Sequence, residues 1–294
     1  MKKRSTEISV FGILNYLVLI MLAAICIAPM IYILAVSLSS SRGLAGGMVI
    51  FLPRDFTLAA YEYCLNKTEF IQSLWMSVKR VVIGIPLNMI LTILAAYPLS
   101  KSNSEFKGRT VYAWIFVFTI LCGAGLIPTY MIVYKVGLID NILALILPGA
   151  VPVFNVILLL NFFRSIPKTL SEAAFLDGAG HWTCLFKVYL PMSYAALSTL
   201  VLFCFIAHWN AWFDGIIYMN SSANYPLQSY LQTLVIKTDL TSISSNKAIR
   251  NYDMLSNKNL KSAQIILGTL PLIILYPLIQ KYFAQGITLG SVKE

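Results

Sequence analysis

Residues Glu172-Ala173-Ala174-Phe175-Leu176-Asp177-Gly178-Ala179-Gly180 form a short polar stretch between two apolar ones, 142–163 and 188–213, neither of which carries a formal charge. A bilayer core is crossed by roughly 20 apolar residues in a helix, and both flanks are long enough. Four further uncharged stretches, 8–41, 81–100, 111–134 and 262–280, meet the same condition. Backbone amides in lipid have no water to bond, so a spanning segment must satisfy them internally. Strands of a membrane barrel alternate in polarity and are shorter; these stretches do neither. The expected fold is an all-α polytopic membrane protein with six transmembrane helices.

Composition agrees. Hydrophobic residues make up 58% and charged residues 12% of the 294, where a soluble domain carries about a quarter charged. The spans are placed at approximately 11–38, 73–100, 111–134, 142–163, 188–212 and 262–281, within a single domain covering 1–294. The apolar run after Lys2-Lys3-Arg4 exceeds the hydrophobic region of a signal peptide and is read as a retained helix. The alternative is cleavage near Ala23-Ala24.

The net charge of +10 reflects loops between spans rather than a nucleic-acid surface. Positively charged residues favour the cytoplasmic side. With the amino terminus inside, the inner segments hold Lys2, Lys3, Arg4, Lys101, Lys107, Arg109, Arg164, Lys168, Lys187, Lys281 and Lys293, 11 of the 22 Lys and Arg residues. The outer segments hold as many over a greater length. Both termini and the polar loop 164–190 are thus expected in the cytoplasm, in a plasma-membrane protein. Lys79-Arg80 are expected at the outer membrane face, where long cationic side chains snorkel. The five cysteines show no metal spacing and no disulfide framework. They are read as small packing residues.

Several prolines fall within or beside the spans, among them Pro86, Pro98, Pro128 and Pro152. The run Cys122-Gly-Ala-Gly125-Leu-Ile-Pro128 is the sharpest expected break. Residues 214–261, polar and rich in Ser and Asn, are expected to form a surface lobe beside the membrane.

In the loop, Glu172 and Asp177 lie five apart, and Ala173, Ala174 and Ala179 leave a thin helix face able to enter a groove. Gly178 and Gly180 permit a sharp turn after it. The plain alternative is a surface helix capped by Ser171. The pattern Glu172-Ala173-Ala174 through Gly178, with Val188-Tyr189-Leu190-Pro191 about a dozen residues later, resembles the EAA loop of ABC importer permeases. Further runs carry the resemblance: Ala95-Ala-Tyr97-Pro98, Gly125-Leu-Ile-Pro128-Thr-Tyr130, Trp209-Asn210-Ala-Trp212-Phe213, and the tail from Gln280-Lys281-Tyr282-Phe283 to Lys293. Together, from about residue 70 onward, they resemble the carbohydrate-uptake branch, similar to maltose-type inner permeases and, more narrowly, to Gram-positive polysaccharide and oligosaccharide importers. The tail departs at Ala284-Gln285, where a more basic pair is expected.

The resemblance implies a type I importer permease whose loop is a coupling helix docking on a separate ATPase. In that reading Glu172 pairs with a basic residue of the ATPase and Gly178 allows the bend, within a coupling set Glu172, Ala173, Ala174, Asp177, Gly178, Ala179 and Gly180. It also implies a second homologous permease, an ABC ATPase dimer that binds ATP and Mg, an extracellular solute-binding lipoprotein, and an oligosaccharide or glycan substrate. No cofactor is expected on this chain itself. A pyranose offers apolar CH faces and polar edges, which suit aromatic rings and amides. Tyr130, Asn155, Trp209, Asn210 and Trp212 are accordingly the candidates for the substrate path, with Asn161 beside them. For the tryptophans the alternative is an interfacial belt, and for the asparagines a bond between helices. His208 is read as a packing or interfacial residue.

The sequence has no G-x-x-x-x-G-K-[ST] phosphate loop, so the chain is not expected to hydrolyse ATP. No catalytic or metal site is evident. The absence of carboxylates from the spans argues against a proton-coupled carrier, and no polar cluster marks a membrane enzyme. An importer of peptides or another small solute is the remaining alternative.

Overall fold

A computed structural model of the chain describes residues 10–45, 49–241 and 258–277. The tail motif at 280–293 and the charges Lys2, Lys3 and Arg4 lie outside the described residues. Among the described residues there is no strand, only an isolated antiparallel bridge between Ser39 and Phe56.

Two compact units divide the chain: 1–68 with 233–269, and 69–232 with 270–294. In the first unit, α1 (Val10–Ser37) is a 28-residue helix, about 42 Å long at 1.5 Å per residue. It is apolar and mostly exposed up to Met30; Tyr32 is half-buried and Ala35–Ser37 are buried. The short α2 (Ser41–Ala45) and α3 (Ala59–Asn66) follow. Ser37 Oγ meets Tyr61 OH at 2.7 Å, and Arg54 N–H donates to Ser39 Oγ at 3.0 Å. Ala60 and Cys64 of α3 pack with Ala263 of α14 (Lys258–Pro277). Asn259 Nδ2 donates to the Ser39 carbonyl at 3.2 Å. Burial pushes the Cys64 thiol pKa up, as fits a packing residue.

The second unit is organised by α4 (Thr68–Ser100), 33 residues long, about 50 Å. Pro86 and Pro98 remove N–H donors yet leave it helical throughout. α5 (Arg109–Leu121) and α6 (Leu126–Lys135) are bent by 112° at the break. Gly125 there has φ +80°, a backbone region in which a Cβ is penalised. Two 3₁₀ turns, Ile142–Leu145 and Leu147–Gly149, meet α7 (Val153–Ser165) at 48° across Pro152.

After α7 come α8 (Lys168–Leu176), α9 (His181–Cys184), a π-helical segment Leu185–Tyr189, and the single turn α10 (Leu190–Met192). A bend of 82° at buried Ser193 leads into α11 (Tyr194–Asn210). The span expected at 188–212 is therefore not one straight helix. α12 (Phe213–Tyr218) and α13 (Leu227–Thr241) follow. α1, α4 and α14 are each long and apolar enough to cross a membrane, and the three bent pairs qualify as pairs.

The main core joins Ala96, Tyr97 and Leu99 of α4, Val156, Leu159 and Phe163 of α7, Cys184, Leu185 and Tyr189 after the polar loop, and Leu200 of α11. A smaller core holds Val133, Ala144, Leu145, Tyr218 and Met219. Part of the region expected to be a polar lobe thus supplies apolar core.

Candidate coupling surface and translocation path

α7 stops at Ile166-Pro167, because the residue before a proline disfavours the helical region, and α8 starts directly after Pro167. Ser171 does not cap this helix. It lies inside it, buried, with Oγ donating to the Lys168 carbonyl at 2.8 Å. The helix ends in a Schellman motif: Gly178 N–H donates to Phe175 O at 3.0 Å and Ala179 N–H to Ala174 O at 2.9 Å. This closure needs a left-handed residue just past the cap, and Gly178 has φ +83°.

The helix has two faces. Ala174 and Phe175 pack inward against the main core. Glu172, Ala173, Leu176, Asp177, Gly178 and Gly180 are exposed, and Ala179 is half-buried. Glu172 and Leu176 share one edge at i, i+4. Leu176 is 89% exposed, the highest value among the large apolar residues of the loop. Trp182 and Phe186, 64% and 59% exposed, stack beyond it with centroids 6.2 Å apart. These three apolar residues were not in the sequence-derived set. Their signal was large apolar side chains in an otherwise polar loop.

The path candidates separate. Asn155 is buried, donates to Cys204 Sγ at 3.4 Å, and lines a cavity of about 380 Å³ with Asn88, Pro152, Phe154, Phe203, Cys204, Ile206 and Ala207. Trp209 is turned inward, 3% exposed, stacked on Phe205 at 5.7 Å. Asn210 and Trp212 are exposed. Tyr130 is half-buried between Tyr134 at 6.5 Å and Tyr218 at 6.2 Å. The five residues do not converge on one pocket.

Arg80 is not at a wet outer face. It is 3% exposed and forms an ion pair with Asp214, Nη1 to Oδ1 at 3.1 Å and Nη2 to Oδ2 closer still. Nη2 also donates to the Leu145 carbonyl at 3.0 Å, and Nε to His208 Nδ1 at 3.4 Å. Arginine only donates, so Nδ1 of His208 must be the unprotonated acceptor and Nε2 carries the hydrogen. Nε2 then donates to Asn88 Oδ1 at 3.2 Å, and Asn88 Nδ2 to the Gly149 carbonyl at 3.2 Å. This directional chain ties α4 to the 3₁₀ turns and to the ends of α11 and α12. Gly84 makes room for it: a Cβ there would lie 2.5 Å from His208 Nε2.

A model of the binding-protein-dependent transport system inner membrane components matches residues 57–289. The chain belongs to this family. The permease is 38% identical over 288 residues to the polygalacturonan/rhamnogalacturonan transport system permease protein YtcP of Bacillus subtilis (strain 168), covering 96% of the permease and 98% of that protein. It is 37% identical to protein LplC of the same organism, covering 97% and 95%. A solved chain of a bacterial ABC transporter involved in the import of the acidic polysaccharide alginate superposes with a TM-score of 0.84 at 32% identity, covering 96% of the permease and all of that chain. A second, from a bacterial alginate ABC transporter in complex with alginate pentasaccharide-bound periplasmic protein, gives 0.58 at 14% identity and shares the fold. The permease is a predominantly helical membrane component of ABC importers.

Proposed function

We infer that the permease is the translocating subunit of an ATP-driven importer of oligosaccharides or larger glycans. The observation that carries this reading is the end-to-end similarity to permeases of polysaccharide transport systems. Glu172, Ala173, Leu176 and Asp177 form the face that meets the ATPase, with Ala174 anchoring it and Gly178, Ala179 and Gly180 closing it. A small, exposed helix with a carboxylate edge and one apolar contact suits a groove bearing a basic residue. A second homologous permease completes the path, and an extracellular binding lipoprotein delivers substrate. ATP and Mg belong to the ATPase dimer. Both termini and residues 164–190 face the cytoplasm. Tyr130, Asn210 and Trp212 present rings and an amide to the sugar, while Asn155 lines an open cavity and Trp209 supports the wall from behind.

The test is ATP hydrolysis by the complex purified through this chain, with its binding protein. The panel is oligogalacturonate, rhamnogalacturonan fragments, alginate oligosaccharides, a neutral maltooligosaccharide and a peptide mixture. Stimulation by a glycan supports the reading. Stimulation by peptides alone assigns the permease to the other solute class, and absence of a co-purifying ATPase overturns the coupling role. Glu172→Gln is expected to lower uptake with the permease still in the membrane.

A further inference from the structure

Lys101 follows directly on α4 and is 7% exposed, yet it makes no ion pair among the described residues. Glu105 acts on it only beyond salt-bridge distance, and a buried cation with no carboxylate in contact is costly unless other groups replace its water. Here aromatic groups do so. Nζ donates to Tyr189 OH at 3.0 Å and lies 4.3 Å from the Tyr189 ring centroid, 4.6 Å from that of Tyr97 and 5.9 Å from that of Phe175. Cation–π attraction acts within about 6 Å and strengthens on desolvation. The three rings come from three places: Tyr97 from α4, Phe175 from the inner face of α8, and Tyr189 from the π-helical segment, a local geometry frequent at functional sites. Phe175 stands one helical turn from Glu172. Tyr97 OH and His181 Nδ1 add a contact at 3.4 Å between α4 and the segment after α8.

We propose that Lys101 is a positioning residue for energy coupling, a cationic pin that makes α8, the π segment and the inner end of α4 move together. This rests on the reading of α8 as the ATPase-facing helix. Apolar packing alone resists separation but tolerates sliding, because dispersion and burial carry little direction. A cation held between three rings and a hydroxyl has one favourable position. Displacing α8 with its Phe175 therefore carries α4 along.

The experiment uses the assembled importer with spin labels on S104C and T169C, both exposed sites, in a background lacking the exposed Cys26 and Cys122. Interlabel distances are compared in the nucleotide-free and ATP–vanadate states, where ATP with vanadate is the probe. The expected result is an unshifted distance distribution for native Lys101 and a shifted one for Lys101→Met, with Lys101→Arg restoring native behaviour. Met keeps the volume and suits apolar surroundings, so a purely structural role predicts intact packing and no shift. An unshifted distribution in Lys101→Met, or a shift already present with native Lys101, overturns the proposal. If Lys101→Met fails to assemble, Tyr189→Phe decides, since it removes the hydroxyl and keeps the ring: a shift supports the pin and no shift overturns it. Absence of an ATPase from the native complex overturns the coupling reading itself. An assembled complex in which the substitutions change nothing overturns only the pin.

Discussion

Gly84→Ala is a substitution whose sign the structure decides against local propensity. In a helix interior, alanine is favoured over glycine by about 1 kcal/mol. At Gly84 the added Cβ would lie 2.5, 2.7 and 2.9 Å from Nε2, Cε1 and Cδ2 of His208, distances that real side chains do not tolerate. The ring must swing away and release both Arg80 Nε and Asn88 Oδ1. Leaving a buried polar group unpaired costs about 1–3 kcal/mol; with partial relaxation we take about 2–4 kcal/mol for the two. After subtracting the propensity gain, the net loss is about 1–3 kcal/mol. For a chain of this size that lowers the melting temperature by about 2–4 °C per kcal/mol. The assay is thermal unfolding of the purified complex in detergent, for Gly84→Ala, His208→Ala and the double substitution. The steric term should vanish without the imidazole, giving a coupling of at least about 1 kcal/mol, within the range seen for residues in contact. A neutral or stabilising Gly84→Ala in the native background would falsify the packing argument.

Arg80→Met should cost about 3–5 kcal/mol by leaving Asp214 without its partner, less whatever solvent recovers for a carboxylate side chain 26% exposed; adding Asp214→Leu should restore much of the loss in the same unfolding assay. Gly178→Val should strain the left-handed position by about 1–2 kcal/mol and depress uptake at unchanged membrane level, whereas Gly178→Asn should retain uptake; equal uptake by both removes the Schellman closure from the account. Trp209→Ala should destabilise by about 3–5 kcal/mol as a core truncation, while Trp212→Ala should leave stability within about 1 kcal/mol and raise the KM for glycan uptake. The bonds from Ser102 N–H and Oγ, both 2.9 Å, hold the Glu105 carboxyl pKa below its usual range. That contribution is fully present above the unfolded value of about 4.3 and is lost as pH falls through the lower folded value. Protection of the Ser102 amide from hydrogen exchange should therefore persist below the ordinary glutamate range and weaken only as pH falls through the lowered folded value.

The helical class was legible because lipid leaves no other way to satisfy a backbone, and uncharged runs of sufficient length identify it. The break at Cys122–Gly125 was legible too, since two glycines before a proline both weaken and cap a helix. The bend at Ser193 was not, because Ser193-Tyr194 is unremarkable in sequence and the surrounding run stays apolar. Proline by itself was a poor guide: α4 passes through Pro86 and Pro98 unbroken, while Pro152 sits at a bend. In the loop, Glu172, Asp177 and Gly178 are exposed as a coupling face requires, but nothing in the sequence separated them from Ala174, which packs inward against the main core. Leu176, Trp182 and Phe186 escaped notice because apolar residues in this chain ordinarily face lipid or core. The Arg80–Asp214 pair joins residues 134 apart, and Lys101 reads in sequence as one more inside charge; neither pairing has a local signature. Trp209 and Trp212, three apart, could not be sorted until the end of α11 fixed which one turns inward.

α5 has no fully buried residue among its 13, and it rests on the chain through Phe116 at the edge of the main core and Arg109, which donates to the Leu99 carbonyl at 3.0 Å. Its internal fold places almost no constraint on Trp114, Ile115 or Phe118, so natural variation along this helix records the demands of its surroundings rather than those of its own protein. Along this exposed face a lineage could change its neighbours without relearning how to fold.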